Sequence, residues 1–268
     1  MRALAFIGAL VAASAVGAES PLLPGLVIES RESDESARGE VIALVDHPFA
    51  TASAALRDPA QWCEVLILTL SVKYCRPSGE GDATALRVVI GSKDDTLESA
   101  YPLAFTYRVT ADNAAVLQVR LEAGEGPLGT SAYRIALELA PAPGGRTRMR
   151  LSYSYLHGWI ARVAMQVYLA TAGRDKVGFT VVGTEPDGAP RYIAGVRGAT
   201  ERNTMRYYLA IEAFLGTLAF PPELRSEKCF LAWFAAIERY PRQLREIGLA
   251  DYLVTKRAQR ARQLSTDP

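Results

Sequence analysis

Four consecutive runs between Tyr101 and Tyr155 alternate apolar and polar residues, and this alternation constrains the fold more than any other feature of the chain. Within each run every second residue is apolar, as in Leu103, Phe105 and Tyr107. Successive side chains of a β-strand point to opposite faces, so the pattern predicts antiparallel strands with one buried face and one solvent-facing face. The sequence therefore predicts a four-stranded meander in this segment.

The predicted buried face carries tyrosines, whose rings are apolar but whose hydroxyl groups need hydrogen-bond partners. Each unpaired hydroxyl group in a dry core would cost free energy. This favours the wall of a ligand cavity, with a filled core that uses the rings as bulk as the alternative. The tyrosines expected to contact a ligand are Tyr101, Tyr107, Tyr133, Tyr153 and Tyr155, of which the three mid-strand residues Tyr107, Tyr133 and Tyr153 are expected to orient it.

Residues 1–18 have the features of a secretory signal peptide. Arg2 gives a basic start, an apolar run extends from Ala3 to Val16, and small residues precede Glu19. The alternative is a membrane anchor, but a bilayer span needs about 20 apolar residues. We therefore expect export to the periplasm with cleavage before Glu19.

The charge balance excludes some function classes. The formal net charge is +1 for the whole chain and falls to zero once Arg2 is removed, so nucleic acid is not an expected partner. Two histidines are too few for a His-rich metal site, and we expect neither a metal nor a cofactor.

The G-x-G-x-x-G match at residues 124–129 is followed by a predicted strand. We interpret it as a strand connection, because a dinucleotide site needs a helix there.

The cysteines are Cys63, Cys75 and Cys229, and none of them has C-x-x-C spacing. In an oxidising compartment two of them would pair. Cys63 and Cys75 flank a short segment, whereas Cys229 lies far away on a late predicted helix. We therefore predict a Cys63–Cys75 disulfide, with three buried thiols as the alternative.

The remaining elements follow from turn residues and periodicity. Residues 19–37, rich in proline and charge, are expected to form an exposed leader. A strand at 39–45, two short helices and six antiparallel strands follow, the last four being the meander. A hairpin across Pro186–Gly188 and helices at 159–172, 201–219, 226–240 and 243–263 complete the chain. Either the helix at 159–172 or the helix at 201–219 would pack on the sheet, and the greater length of the second favours it.

This element order resembles the START-like (SRPBCC, helix-grip) superfamily from Gly39 to Ala219. Three segments are similar to exported bacterial members of that group, namely Val45-Asp46-His47-Pro48-Phe49, Gly173-Arg174-Asp175-Lys176 and Glu201-Arg202-Asn203. The resemblance implies an α+β fold in which a curved antiparallel sheet wraps around a long helix and leaves an apolar cavity. The expected division is a helix-grip domain at 38–219 and a helical C-terminal extension at 220–268.

The resemblance also implies a function, since members of the superfamily bind or transport lipids, sterols and polyketides, and some catalyse cyclisation. We expect binding or shuttling of a hydrophobic or amphipathic small molecule. The alternatives are a cyclase- or hydrolase-like enzyme in the same cavity and a cavity-free envelope scaffold. Catalysis would need a positioned acid–base pair. The candidates are Asp46, His47, His157 and Glu212, although Asp46 and His47 also suit a polar turn before a helix.

Charged residues at element ends suggest a portal. Arg174, Arg202 and Arg206 would hold an anionic head group there, because guanidinium groups bind carboxylate and phosphate with paired hydrogen bonds. The alternative is a salt-bridge network where the hairpin and the following helix meet.

The apolar helix that begins at Trp159 would contact a membrane transiently, or else belong to the core. The oligomeric state stays open.

Overall fold

The computed structural model describes residues 22–79, 81, 84–171 and 173–265, so the expected signal peptide lies outside the described residues. The strands are β1 (Val27–Glu32), β2 (Ser36–Val45), β3 (Val72–Ser78), β4 (Ala85–Ile90), β5 (Tyr101–Asp112), β6 (Leu117–Glu125), β7 (Thr130–Ala142), β8 (Arg146–His157), β9 (Val181–Thr184) and β10 (Pro190–Tyr192). The helices are α1 (Phe49–Leu56), α2 (Pro59–Leu66), α3 (Trp159–Ala170), α4 (Gly195–Leu215), α5 (Pro222–Glu238), α6 (Pro241–Leu244) and α7 (Leu249–Leu264).

Eight strands form one antiparallel sheet in the order β1-β2-β8-β7-β6-β5-β4-β3, and β9 and β10 form a separate hairpin. The predicted meander is β5 to β8. Most of its inward-facing apolar residues are buried, as at Leu137 on β7 and at Leu151, its partner on β8, whereas Val109 on β5 is exposed. The sheet packs on a long helix, which confirms the predicted α+β helix-grip arrangement.

The helix held by the sheet is α4, which contacts β1, β2 and β8. It begins at Gly195, before the predicted start at residue 201, and the Thr200 hydroxyl donates to the Val196 carbonyl inside the helix. Gly39 on β2 allows the close approach, because a Cβ atom there would lie 2.2 Å from Oγ1 of Thr204. By contrast, α3 buries little of its surface.

The prediction of an exposed leader at 19–37 is wrong from residue 27 onward, because β1 and the start of β2 lie there. Ile28 and Ser30 face inward, while Glu29 and Arg31 face outward. The charges that suggested a solvated leader are the outer face of an edge strand, where charged side chains oppose further strand pairing.

The helical extension shares the core of the sheet domain. Tyr252 on α7 stacks on Trp233 of α5 at a centroid distance of 5.2 Å, and its hydroxyl donates to the Leu68 carbonyl at 3.0 Å. The buried ammonium group of Lys256 donates to the carbonyl groups of Thr69 and Val72, at 2.6 and 3.2 Å. The described part of the extension is therefore continuous with the sheet-and-helix core.

The structure contains the disulfide between Cys63 on α2 and Cys75 on β3, with the two Cα atoms 5.2 Å apart. Cys229 is free and buried, and its sulfur lies 2.9 Å from the Thr217 hydroxyl oxygen. Within the described ranges, every helix is too short or too polar to cross a membrane.

Candidate functional site

A cavity of about 520 Å³ lies between the inner face of β7 and β8, the helix α4 and the exposed helix α3. The sheet supplies aromatic side chains, while α3 and α4 supply smaller and more flexible ones. Its lining residues include Tyr133, Tyr153, Tyr155, His157, Ala161, Met165, Tyr168, Val196 and Asn203. The cavity is therefore mainly apolar, with a few polar groups at fixed positions.

A β-bulge in β7 sets the geometry of the sheet wall. Ser131 pairs with Leu156 and Arg134 with Ser154, so Ala132 and Tyr133 together face the single residue Tyr155. Ala132 adopts a left-handed backbone conformation with φ of 48°. Such bulges shift the strand register and redirect side chains. An alanine in this conformation has no sequence signature, and the bulge was not predicted.

The bulge places Thr130 beside Tyr133 at the edge of the cavity. The two hydroxyl oxygen atoms lie 2.8 Å apart, and the Thr130 hydroxyl also lies 2.5 Å from the Pro127 carbonyl oxygen. Gly126 makes room for the ring, because a Cβ atom there would lie 2.3 Å from Cε2 of Tyr133. The glycine-rich stretch is thus the β6–β7 connection, and it supports the cavity wall.

Three tyrosines of this wall form an aromatic cluster with Tyr207 of α4. Tyr133 stacks on Tyr155 at a centroid distance of 5.6 Å, and Tyr153 lies 5.7 Å from Tyr155 and 5.6 Å from Tyr207. Burial raises the pKa of Tyr155 and that of Tyr207 to about 12, so their hydroxyl groups stay protonated near neutral pH. Tyr207 was not predicted, because it lies on α4 and the alternation pattern covers only the strands.

His157 lines the cavity with a buried imidazole ring. Its side chain is buried, and both ring nitrogens lack a hydrogen-bond partner among the described residues. Its ring lies 6.0 Å from that of Tyr155, and its backbone pairs with Thr130. Buried polar atoms are normally paired. A molecule in the cavity would supply the missing partner.

A smaller cavity of about 190 Å³ adjoins the first one and shares Tyr133, Tyr153 and Asn203 with it. Its other walls are largely apolar and come from β3, β4, β5 and α2. They include Leu66, Val72, Val88, Leu103 and Phe105. The two cavities together extend the apolar space along the inner face of the sheet.

Two of the predicted ligand-binding tyrosines lie outside this space, which corrects the prediction. Tyr107 donates its hydroxyl hydrogen to the Arg57 carbonyl oxygen at the end of α1, at 2.6 Å. Tyr101 begins β5, is 36% exposed and is not among the cavity-lining residues. Alternation assigned both residues to the inner face, but on β5 the two cavities reach only Leu103 and Phe105, which lie between these two tyrosines.

The acid–base candidates are not brought together around the cavity. His47 follows β2, and its carbonyl oxygen accepts a hydrogen bond from Thr147. Burial is the largest influence on Glu212 and raises the pKa of its carboxyl group, against the lowering effects of Tyr208 and of the Arg239 charge. Of the four candidates, only His157 lines the cavity. Asp46, His47 and Glu212 lie outside the two cavities of the inner sheet face.

The three arginines predicted to frame a portal occupy different environments. Arg174 is exposed, with its Nε 3.9 Å from a carboxylate oxygen of Asp175. Arg206 is ion-paired with Glu246, and Arg202 is buried. Arg202 and Arg206 border a pocket of about 300 Å³ that excludes Arg174. Across the described ranges, no cluster of histidine, cysteine or acidic residues is arranged to hold a metal ion.

No protein-family model and no curated protein matches this sequence. Solved structures similar to it include a START superfamily protein from Mycobacterium smegmatis, with 11% identity over 51% of this chain and 95% of that one, at a TM-score of 0.36.

Human StAR-related lipid transfer protein 5 is 12% identical over 55% of this chain and 80% of its own, at a TM-score of 0.35. Norcoclaurine synthase from Thalictrum flavum is 13% identical over 65% of this chain and 90% of its own, at a TM-score of 0.37.

Proposed function

We propose that this protein binds a hydrophobic or amphipathic small molecule, such as a lipid, in the cavity enclosed by β7, β8, α3 and α4. The observation that carries the proposal is an aromatic cavity of about 520 Å³ that contains a buried histidine without a partner among the described residues. Small-molecule sites typically combine an apolar lining with a few convergent polar groups. The cavity also counts against the alternative of a cavity-free scaffold.

Binding without chemistry fits the arrangement of the polar groups. The Tyr155 hydroxyl stays protonated near neutral pH and can donate to a ligand oxygen, and the nitrogens of His157 can donate or accept. The carboxylate candidate Glu212 lies outside the cavity. The polar groups would therefore orient a molecule whose apolar part is removed from water.

We propose that the protein acts after export, in the periplasm. The disulfide between Cys63 and Cys75 supports this location, because such bonds persist in oxidising compartments. N-terminal analysis of the exported protein should find Glu19 at its start. An intact Met1 on protein recovered from the cytoplasm would contradict the proposal.

The helix α3 supports transient contact with a membrane during exchange of the bound molecule. It covers the cavity, yet Trp159, Val163 and Val167 are exposed by 74%, 50% and 59%. Exposed apolar residues on one element often mark an interaction site. Trp159→Ser should weaken co-sedimentation with phospholipid vesicles, and unchanged sedimentation would remove this part of the proposal.

The main test fills the cavity and measures uptake of an apolar fluorescent probe, 1-N-phenylnaphthylamine. Ala161 on α3 is buried and lines the cavity, so Ala161→Trp should occupy the space and reduce probe binding. Ala170→Trp, on the exposed side of the same helix, is the matched control and should bind like the wild type. Failure of the wild type to bind the probe, or equal binding by the two variants, would contradict the proposal.

A further inference from the structure

Arg202 on α4 is a buried cation that forms no ion pair with a carboxylate of the described residues. It is 2% exposed. Its Nη1 donates to the Val177 carbonyl and its Nη2 to the Tyr168 hydroxyl, each across 3.4 Å. These are long hydrogen bonds. A buried charge is normally paired, because burial without an opposite charge is costly.

The nearby charged groups do not neutralise Arg202. The Glu246 carboxylate is ion-paired with Arg206, which also donates to the Asn203 side-chain oxygen at 3.1 Å. Lys176 is a further cation in this region, and its ammonium group donates to a backbone carbonyl. Burial lowers the pKa of the Arg202 guanidinium, and the positive charge of Arg206 acts in the same direction, against the raising effects of Tyr168 and of the Glu246 charge. The region therefore carries more positive than negative charge.

Arg202 lies beside the aromatic cavity. The pocket of about 300 Å³ that it borders shares Met165, Tyr168 and Asn203 with the larger cavity. Tyr168 links the two directly, because its hydroxyl accepts the hydrogen bond from Arg202. An elongated molecule could thus place its apolar part among the tyrosines and its polar end at Arg202.

We infer that the bound molecule is an amphipathic anion, and that Arg202 binds its charged group through paired hydrogen bonds to the guanidinium. This inference rests on the proposed function and narrows it to lipid-like molecules that carry a carboxylate or a phosphate. Both groups match the planar fork of an arginine side chain. A neutral sterol or hydrocarbon would leave the guanidinium unpaired.

The first experiment uses the wild-type protein and needs no substitution. Dodecanoate, dodecyl phosphate and dodecanol compete against bound 1-N-phenylnaphthylamine, with inorganic phosphate as the anion without a chain. We expect at least one of the two charged competitors to bind about 10- to 100-fold more tightly than dodecanol, as a charge-assisted hydrogen bond in a buried site allows. The stronger of the two identifies the head group.

The second experiment compares Arg202→Met with Arg174→Met, whose arginine is exposed and lies outside the pocket. Arg202→Met should remove the preference for the anion while dodecanol and probe binding stay within about twofold. The empty Arg202→Met protein should melt at or above the wild-type temperature, because it loses an unpaired buried charge. Arg174→Met should behave like the wild type in both measurements.

The outcomes separate this inference from the proposed function. Probe binding with equal affinities for dodecanoate, dodecyl phosphate and dodecanol would overturn the anionic site and leave the cavity proposal standing. Absence of probe binding would overturn both. If Arg202→Met does not fold, Arg202→Lys provides the test. Lysine keeps the positive charge but cannot form the paired hydrogen bonds of a guanidinium group, so this variant should show an intermediate preference for the anion. A preference equal to that of the wild type would overturn the assignment. Competition by inorganic phosphate as strong as that of the lipids would also contradict it.

Discussion

The hydroxyl group of Tyr107 donates a hydrogen bond to the backbone carbonyl oxygen of Arg57 across 2.6 Å, which joins β5 to the end of α1. Tyr153 lies on the same inner face of the sheet, but its hydroxyl group has no hydrogen bond to any described residue and its ring lines the cavity. Two tyrosines that the alternation pattern treats alike thus have different surroundings.

Tyr107→Phe should destabilise the protein because it leaves the Arg57 carbonyl oxygen at the end of α1 without this donor. We expect the free energy of unfolding to fall by about 1–3 kcal/mol, as measured by urea denaturation. Probe binding in the cavity should not change. Tyr153→Phe is the matched control, which should keep its stability and lose affinity for a polar ligand. A loss of stability in Tyr153→Phe, with none in Tyr107→Phe, would contradict these assignments.

Ala132→Gly should maintain or raise stability. Alanine in the left-handed region costs roughly 1–2 kcal/mol, whereas glycine adopts it readily. Part of this gain is offset by the greater freedom of glycine in the unfolded chain, so we expect a net gain of at most about 1 kcal/mol. Ala132→Val should be destabilising. Thermal melting of both variants measures the effect, and a lower melting temperature for Ala132→Gly would show that the strand has another conformation.

Thiol counting on the unfolded, unreduced protein should find one free cysteine, Cys229. Reduction should lower the free energy of unfolding by about 3 kcal/mol, because the disulfide closes a short loop in the unfolded chain. The Cys63→Ala/Cys75→Ala double variant should melt like the reduced protein. Three reactive thiols in the unreduced sample would refute the pairing.

Glu212→Gln should raise the melting temperature at pH 7, and the gain should shrink as the pH falls through 4.5, the ordinary value for this carboxyl group. Burial raises the pKa of Glu212 in the folded protein. When the folded-state pKa lies above the unfolded-state pKa, ionisation of the carboxyl group destabilises the folded protein at pH values above the unfolded-state pKa. This destabilisation is absent at lower pH, where the carboxyl group is protonated in both states.

Glu227→Gln is the control for the pH experiment and has the opposite sign. The hydrogen bond from Arg257 lowers the pKa of Glu227, so this carboxylate stabilises the folded protein above its unfolded pKa and loses the effect in acid. Its replacement should therefore lower the melting temperature slightly at pH 7. Curves for Glu212→Gln that run parallel to the wild type at every pH would contradict the raised pKa.

Some features could be predicted because their signals are local in the sequence. Alternation with period 2 identified β5 to β8 and the inward-facing tyrosines, since neighbouring side chains of a strand point to opposite faces. Asp58 followed by proline is a common helix start, and the Asp58 side chain accepts a hydrogen bond from the Ala60 backbone at the start of α2. The Cys63–Cys75 pairing followed from their proximity along the chain.

What the sequence determined by itself is therefore the order of the elements and the residues that each strand turns inward. Tertiary structure decided which of those residues meet the cavity: the bulge at Ala132 sets the register beside His157. The helix α4 adds Tyr207 to the aromatic cluster and to the smaller cavity. The tertiary structure also gives Arg202 and Arg206 different surroundings, because Glu246 forms an ion pair with Arg206 and not with Arg202. Periodicity reports the face of a side chain, whereas its partners come from elements distant in the chain, whose approach is set by packing of the whole core.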